Sequence, residues 1–258
     1  MSAPDALVVS GLHISFGGVR AVNDCSFTVP ARAAVGLIGP NGAGKSTAID
    51  LISGFKIADS GSATFAGREL IGMKPHDISR LGLVRTFQSP REWGSLTVLD
   101  NVMIGMRGFE RESLARGLFA SGRMRRAEHD DRERARSLLR DFGLTALKDD
   151  PAASLSGGQK RLVEFARIAA ARPKIVILDE PMGGVNPVLG ERIGEAVRSL
   201  VEDGSSVLVV EHNLRFIEDY CDVVVVMDQG AVIAEGPYAS LRNNPQVVSA
   251  YLGEVEHA

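Results

Sequence analysis

The sequence predicts an α/β fold in which helices cover both faces of a parallel sheet. In the second half of the chain, continuous apolar stretches of strand length alternate with helical patterns, which is typical of buried parallel strands. In the first half, the apolar stretch Ala34–Ile38 leads through the glycine-rich sequence GPNGAGKS into a helical pattern. The longest apolar runs, such as residues 223–227, are far shorter than the roughly eighteen residues that cross a bilayer.

Short strands bounded by glycine-containing turns open the chain, and a charged helical insert occupies its middle. In the insert, arginines outnumber acids, but mixed signs along a helix indicate a solvated face more often than a lipid-binding or partner-binding one. The predicted elements are strands at Leu7–Val9, Cys25–Val29 and Ala34–Ile38, a helix over 46–54, a strand over 62–70, a short helix at Pro75–Leu81, a strand over 83–88, the helical insert over 96–147, a helix ending at Ala171, a strand over 174–180, the helix Pro187–Glu202, a strand over 206–212, a further helix, a strand over 222–230 and a short closing helix.

The composition narrows the class of function. The 258 residues carry 29 basic and 32 acidic side chains, a net charge of −3, so no basic field marks a nucleic-acid binder. The two cysteines, Cys25 and Cys221, lie far apart without CxxC spacing, which favours buried free thiols in a reducing compartment. The N-terminus lacks the pattern of a secretory signal, so we expect a cytoplasmic protein whose membrane role, if any, is peripheral.

The sequence GPNGAGKS satisfies the pattern GxxxxGK[ST] with Gly39, Gly44, Lys45 and Ser46. Because this loop follows a strand and opens a helix, its backbone N–H groups are predicted to surround nucleotide phosphates. Lys45 adds a positive charge, and the Ser46 hydroxyl can ligate Mg²⁺. A tight glycine turn without a ligand is the less favoured interpretation. The nucleotide-contacting residues predicted here are Asn41, Gly42, Ala43, Gly44, Lys45, Ser46 and Thr47.

The strand IVILDE ends in two acids at the carboxyl edge of the predicted sheet. We expect Asp179 to hold Mg²⁺ and Glu180 to polarise the attacking water, the two tasks that phosphoryl transfer demands. His212, at the end of a neighbouring strand, can hydrogen-bond the γ-phosphate and this water, although a lone histidine is usually a surface residue. The alternative interpretation of Asp179 and Glu180 is that a pair of acids ends the strand only to keep its end soluble.

Two further residues are ambiguous when taken alone. Gln88 lies where the sheet passes into the helical insert, where its amide can contact Mg²⁺ and the attacking water. Phe16 can stack on adenine, but a phenylalanine in a β region is by default a core residue.

A second glycine turn, LSGGQ at 155–159, also opens a helix. The ordered set GPNGAGKS, Gln88, LSGGQ, IVILDE and His212 strongly resembles the ATP-binding cassette (ABC) family over nearly the entire chain, and LSGGQ is that family's signature. The resemblance implies a P-loop NTPase (RecA-like) ABC ATPase core with an N-terminal antiparallel β subdomain and an α-helical subdomain. It also implies one nucleotide-binding domain, with residues 1–88 and 173–258 in the β subdomain and core and residues 89–172 in the helical subdomain.

The same resemblance implies that ATP and Mg²⁺ bind between two cassettes packed head to tail. Ser156, Gly157, Gly158 and Gln159 of one cassette would then cap the γ-phosphate held by the loop of the other. A helix N-terminus supplies N–H donors and a favourable dipole for that purpose. The resemblance also favours Phe16 as the adenine-stacking residue, Gln88 as the sensor beside the helical subdomain and His212 as the switch residue.

Several stretches look like the ATP-binding subunits of bacterial branched-chain amino acid importers and their relatives for other hydrophobic amino acids and amides. They are FGGVRAV, GLVRTFQ, LTVLDNV, the arginine-rich insert, the NP at 186–187 and the closing AYLG. This likeness implies transmembrane permease subunits, a second ABC ATPase subunit that is a paralogue or a copy, a separate solute-binding protein, and a location at the cytoplasmic face of the plasma membrane. The segment 89–98 would border the groove that receives the permease.

Two positions depart from the commoner pattern. Asn186 stands where aspartate is frequent in the wider family, and we expect its amide still to hydrogen-bond across the dimer, although Gly183 and Gly184 add backbone freedom. Trp93 replaces a smaller residue, and core packing and partner anchoring are equally favoured for it.

Alternative functions explain the motifs less well. A soluble ABC ATPase acting on nucleic acid or ribosomes usually carries tandem cassettes or long coiled coils, and this sequence has one cassette and no sustained heptads. A nucleotide-binding regulator without turnover would fit loss of the catalytic acid, yet Glu180 is present. A P-loop kinase or GTPase leaves LSGGQ and His212 unexplained.

Overall fold

The computed structural model describes residues 5–86, 93–106 and 121–252. Within these residues the chain forms two compact units. The first contains residues 5–86, 174–184 and 197–252, and the second contains residues 93–106, 121–173 and 185–196.

The first unit opens with an antiparallel sheet whose described strands lie in the order β2-β1-β4-β5. Gly17 and Gly18 join β1 to β2, and both have positive φ (54° and 87°), as a two-residue hairpin with the twist of its strands requires. Strand β1 is longer than predicted, because mostly half-buried residues alternate with its buried ones and no continuous apolar run marks it. The strands are β1 (Asp5–Phe16), β2 (Val19–Pro30), β4 (Ser60–Phe65) and β5 (Arg68–Glu69).

A second sheet in the same unit has its described strands in the order β10-β9-β3-β8-β7-β6. Strands β3, β6, β7, β8 and β9 pair in parallel, and β10 pairs with β9 antiparallel. Every residue of β3, β7 and β8 is buried, which confirms the parallel sheet predicted from the continuous apolar runs. The strands are β3 (Ala34–Ile38), β6 (Leu83–Arg85), β7 (Ile175–Asp179), β8 (Ser206–Val210), β9 (Val223–Asp228) and β10 (Ala231–Gly236).

One hydrophobic cluster joins inward-facing residues of both sheets to helix α1, and it includes Leu7, Phe65, Ile49 and Met227. Strand β10 and helix α8 were not predicted, since β10 is only half-buried along most of its length. Helix α6 begins in the second unit and ends in the first. The helices that contribute to the first unit are α1 (Lys45–Ile52), α2 (Pro75–Arg80), α6 (Pro187–Glu202), α7 (Leu214–Tyr220), α8 (Tyr238–Leu241) and α9 (Pro245–Leu252).

The second unit is helical, with α3 (Val98–Met106), α4 (Ser121–Asp141), α5 (Gly157–Ala171) and the beginning of α6. A Cβ on Gly105 would lie 2.3 Å from the Arg167 carbonyl oxygen, so glycine lets α3 approach α5 closely. In the part of the chain that the structure describes, no helix combines the length and the apolar character of a membrane span.

The two cysteines differ in burial. Cys25 is fully buried in the core, as predicted, whereas Cys221 is only half-buried at the end of α7. Burial raises the pKa of each thiol to about 12.

Candidate nucleotide site

The phosphate loop, residues 39–46, connects β3 to α1 and depends on three glycines with positive φ. A Cβ would lie 2.0 Å from the Met227 carbonyl oxygen at Gly39 and 2.3 Å from the Ala21 carbonyl oxygen at Gly44. No side chain fits at either position without moving the backbone. At Gly42 nothing lies within 4 Å, so this side of the loop is open.

Helix α1 begins without a side-chain cap, because its N-cap residue Gly44 adopts the left-handed conformation. The first N–H groups of a helix lack intrahelical partners, and here they belong to Lys45, Ser46 and Thr47. The Lys45 ammonium group donates to the Gly39 oxygen at 2.7 Å and to the Pro40 oxygen at 2.9 Å, which places its charge on the loop. Asn41 and Ser46 are exposed, whereas Ala43 is buried. The N–H groups at a helix N-terminus, a cation and an accessible hydroxyl fit a nucleotide phosphate.

The register of the sheet aligns the phosphate loop with the predicted catalytic residues. Val210 of β8 pairs with Leu37 of β3 on one side and with Asp179 of β7 on the other. Because neighbouring strands lie about 4.8 Å apart, Asp179 is roughly 10 Å from β3 across the sheet. Glu180 directly follows β7, and His212 lies two residues after the end of β8. Both residues therefore lie at the carboxyl edge of the sheet, where the phosphate loop also follows β3.

Asp179 is 4% exposed, and its two carboxylate oxygens differ. Oδ2 accepts from Arg85 Nη2 at 3.0 Å, while Oδ1 is buried and has no hydrogen-bond partner among the described residues. A buried carboxylate oxygen without a protein partner suits a hard cation or a water bound to it. The Asp179 carboxylate and the exposed Ser46 hydroxyl are oxygen ligands of the kind that Mg²⁺ prefers.

Arg85, at the end of β6, was missed by the sequence interpretation. Its guanidinium group donates to Asp50 Oδ1 at 2.7 Å and to Ser53 Oγ at 2.8 Å as well as to Asp179, so it connects α1 with β7. Burial alone would raise the pKa of the Asp50 carboxyl, but hydrogen bonds from Lys56 and Arg85 lower it below its usual value. Finding this arginine from sequence requires the pairing of β6 with β7, which no local pattern reveals.

Glu180 was predicted as the last residue of the strand, but β7 ends at Asp179 because Glu180 turns into the left-handed conformation with φ +48°. That conformation costs a non-glycine residue about 1 to 2 kcal/mol, so its surroundings must hold it. The Glu180 N–H donates to the Val210 oxygen at 2.9 Å, and the Gly183 N–H donates to the Glu180 oxygen at 3.1 Å. The turn 180–183 is thereby fixed against β8.

The strand predicted to reach His212 ends at Val210, and the reason is Glu211. The Glu211 carboxylate is buried and accepts from the N–H groups of His212 at 3.0 Å, Asn213 at 3.2 Å and Met182 at 2.7 Å. The His212 side chain is 70% exposed, with Nδ1 3.8 Å from Glu211 Oε2. Glu211 was missed, although an acid directly after the apolar run VLVV was a signal for it.

Phe16, at the end of β1, is 46% exposed. It is not the core residue that a phenylalanine in a strand is by default, and its ring is accessible for stacking. Gln88 lies outside the described residues.

The signature turn, Leu155–Gln159, opens helix α5 in the second unit. Ser156 Oγ accepts from the Gln159 N–H at 3.3 Å, and Gln159 Oε1 accepts from the Ser156 N–H at 2.9 Å, which is a complete capping box. At Gly157 nothing lies within 4 Å of an added Cβ, whereas at Gly158 the Leu189 Cδ2 atom would lie 2.6 Å away. Gly157 therefore faces open space, and Gly158 permits close packing on α6.

Two other residues of the second unit have internal partners. Asn186 Oδ1 accepts from the Leu189 N–H at 2.9 Å and so caps α6. Trp93 is 49% exposed, with the Arg167 guanidinium 5.0 Å from its ring centroid. Its backbone is held by the buried Asn101, whose side chain accepts from the Trp93 N–H at 2.9 Å and donates to its oxygen at 3.1 Å.

Comparisons with known proteins agree with this geometry. The ABC transporter family matches residues 22–183, and the family described as branched-chain amino acid ATP-binding cassette transporter matches residues 231–257. The chain is 42% identical to the branched-chain amino acid transport ATP-binding protein LivG of Archaeoglobus fulgidus, with 96% of this chain and 95% of LivG covered. It is 37% identical to BraF of Pseudomonas aeruginosa, with 98% and 100% covered. The crystal structure of the ADP conformation of an ATP-binding cassette of an ABC transporter superposes with a TM-score of 0.81 at 34% identity, covering 97% of this chain and all of that chain (100%).

Proposed function

The chain belongs to the ABC transporter family as one of its ATP-binding ATPase subunits, and we propose that it powers the uptake of branched-chain amino acids or of a related amino acid or amide. The observation that supports this most directly is the alignment of three features at one sheet edge. These are the open phosphate loop, the orphaned carboxylate oxygen of Asp179 and the turn that presents Glu180. The soluble alternative acting on nucleic acid is not favoured, because the relatives are named as transport proteins.

The proposed nucleotide site uses the phosphate loop for the ATP phosphates and Phe16 for the adenine. The contacting loop residues are Asn41, Gly42, Ala43, Gly44, Lys45, Ser46 and Thr47. Ser46, Asp179 and Gln88 would hold Mg²⁺, which would supply positive charge to offset the negative charge of the ATP phosphates. Glu180 accepts the proton of the attacking water, and His212 and Gln88 orient that water against the γ-phosphate.

The proposed assembly is a head-to-tail pair of cassettes, each with a core made of residues 1–88 and 173–258 and a helical subdomain made of residues 89–172. The first turn of α5 presents Ser156, Gly157, Gly158 and Gln159 to the γ-phosphate of the partner cassette. Such helix N-termini stabilise the charge of a transferring phosphoryl group. The pair binds transmembrane permease subunits at the cytoplasmic face of the membrane, and the permease receives solute from a separate binding protein.

Glu180→Gln tests this proposal, because an amide cannot accept the proton of the attacking water. We expect the purified wild-type chain to hydrolyse ATP with Mg²⁺, and Glu180→Gln to lose at least about 100-fold in kcat while forming an ATP-dependent dimer in size-exclusion chromatography with light scattering. Glu218→Gln, a change of the same type at an exposed position of α7, should behave as wild type. A Glu180→Gln protein that stays monomeric with ATP would contradict the proposal.

The transported solute requires a separate experiment. We expect the tagged chain to co-purify from its native membrane with permease subunits, and the solute-binding protein recovered with them to bind leucine, isoleucine or valine in calorimetry. A binding protein that takes none of these and no other amino acid or amide would overturn the proposed solute class while leaving the ATPase assignment intact.

A further inference from the structure

Glu211 is a buried acid that has no role in the reaction proposed above. It lies directly after β8, is 1% exposed, and accepts hydrogen bonds from three backbone N–H groups of the first unit. Two donors are its chain neighbours His212 and Asn213, and the third, Met182, is 29 residues away. A buried carboxylate that accepts several charge-assisted bonds fixes the backbone segments it joins.

On one side, Glu211 holds the turn that carries Glu180. The Gly183 N–H bonds to the Glu180 oxygen, so residues 180–183 form a β-turn in which the Met182 N–H has no partner within the turn. Glu211 Oε1 accepts from this N–H at 2.7 Å. Together with the bond from the Glu180 N–H to the Val210 oxygen, this contact attaches the turn to the end of β8 at two points. Glu180 thus keeps a conformation that non-glycine residues seldom adopt.

On the other side, Glu211 holds the segment that carries His212. Its Oε2 atom accepts from the N–H groups of His212 at 3.0 Å and Asn213 at 3.2 Å, and Asn213 in turn caps α7 through a bond from the Phe216 N–H to its Oδ1. The two oxygens of one carboxylate therefore bind two loops, one that carries the proposed general base Glu180 and one that carries His212.

We propose that Glu211 is a positioning residue that holds Glu180 and His212 in register at the carboxyl edge of the sheet. The inference rests on the roles proposed above for those two residues. Loss of the bridge lets the turn 180–183 relax and displaces the Glu180 carboxylate from the attacking water. The phosphate loop connects β3 to α1, so the nucleotide contacts that it makes do not pass through the bridge, and only the His212 contact with the γ-phosphate does.

Glu211→Asp separates the two halves of the arrangement. The shorter side chain still reaches the N–H two residues on, as aspartate does in an Asx-turn, but it falls short of Met182 by about one carbon–carbon bond, ~1.5 Å. We expect kcat for ATP to fall between about 10-fold and 100-fold, because small displacements of catalytic groups cost that much, with KM for ATP within about twofold of wild type. Glu211→Gln should also lower kcat and leave KM for ATP nearly unchanged, because its amide nitrogen must face a backbone N–H from which it cannot accept a hydrogen bond.

Asp222→Asn is the matched control for a purely structural effect. Asp222 Oδ2 accepts from the Ala34 N–H at 2.8 Å at the opposite, amino end of the same sheet. The variant Asp222→Asn should lower the thermal unfolding midpoint and leave kcat per folded molecule unchanged.

Two results would overturn the inference: wild-type kcat in Glu211→Asp, or a loss of kcat that only follows the loss of folded protein, as in the control. If Glu211→Gln does not fold, Glu211→Asp alone decides between these outcomes. A wild-type chain without ATP hydrolysis would instead contradict the proposed function, so the two failures are distinguishable.

Discussion

The phosphate loop and the signature turn are both glycine-rich segments that precede a helix. They differ in whether side chains cap the first N–H groups of that helix. Gly44 caps α1 without a side-chain hydrogen bond to those donors. Ser156 and Gln159 cap α5 reciprocally, so the N–H groups of these two residues have partners within the signature turn. The phosphate loop is thus built to hold an anion by itself, whereas the signature turn is stable without one and has the Gly157 N–H and the Ser156 hydroxyl proton to offer.

The largest difference between the two turns should appear when alanine replaces glycine. Gly44→Ala combines a left-handed φ of +96° with a Cβ 2.3 Å from a backbone oxygen, and we expect it to lower the free energy of unfolding by about 4 kcal/mol and to abolish ATP binding. Gly157→Ala meets open space at an ordinary φ and should change stability by less than about 0.5 kcal/mol. Urea unfolding and nucleotide titration measure both effects. Equal destabilisation by the two variants would show that the two turns do not differ in their need for glycine.

A second comparison concerns the buried arginine pair in each unit. Arg85→Met removes the cation beside Asp50 and Asp179, and Arg161→Met removes the partner of Glu164, 3.0 Å away. Breaking a buried pair costs about 3 kcal/mol in either unit, measured by urea unfolding. Only Arg85→Met should also lower kcat for Mg-ATP, by about 10-fold, because only this arginine orients Asp179. An equal loss of kcat in Arg161→Met would argue against a specific role of Arg85.

Ser156 allows the cap of α5 to be separated from its proposed contact with a phosphate. Ser156→Asp keeps a good N-cap residue, so the unfolding free energy should change little, but its negative charge faces the γ-phosphate and should reduce kcat about 100-fold, which corresponds to about 2.7 kcal/mol. Ser156→Ala loses the cap and should cost about 1 kcal/mol of stability. Steady-state ATPase rates and thermal unfolding give both values. Full activity in Ser156→Asp would show that no phosphate approaches this turn.

The sequence predicted those parts of the fold that leave a local pattern. Strands β3, β7 and β8 are continuous apolar runs, and α6 begins and ends where predicted, at Pro187 and Glu202. Strand β10 was missed because its residues are mostly half-buried and its sequence, AVIAEG, contains only four consecutive apolar residues. The order of strands in the sheet also required tertiary structure, since β8 inserts between β3 and β7, which precede it in the chain.

The same limit applies to the candidate site. Motif residues such as Lys45, Asp179 and Glu180 were identified because their spacing carries the chemistry. Arg85 and Glu211 were missed because their importance lies in partners 94 and 29 residues away, Asp179 and Met182. Long-range partners of this kind leave no periodicity and no motif in a single sequence.

The smallest effect concerns acid stability and involves Asp50 of the first unit. Lys56 and Arg85 lower the pKa of Asp50 against the opposing effect of burial, so the folded-state pKa lies below the unfolded value. A depressed carboxyl pKa stabilises the fold above the unfolded value and loses that contribution as the pH falls through the folded value. Asp50→Asn should therefore be less stable than wild type at pH 7, with the difference shrinking as the pH falls below about 4. Urea midpoints measured from pH 7 downwards test this, and Lys56→Met, which removes one of the two cations, should give a smaller difference of the same sign. A gap between wild type and Asp50→Asn that stays constant with pH would mean that the ion pairs around α1 do not depress the pKa of Asp50.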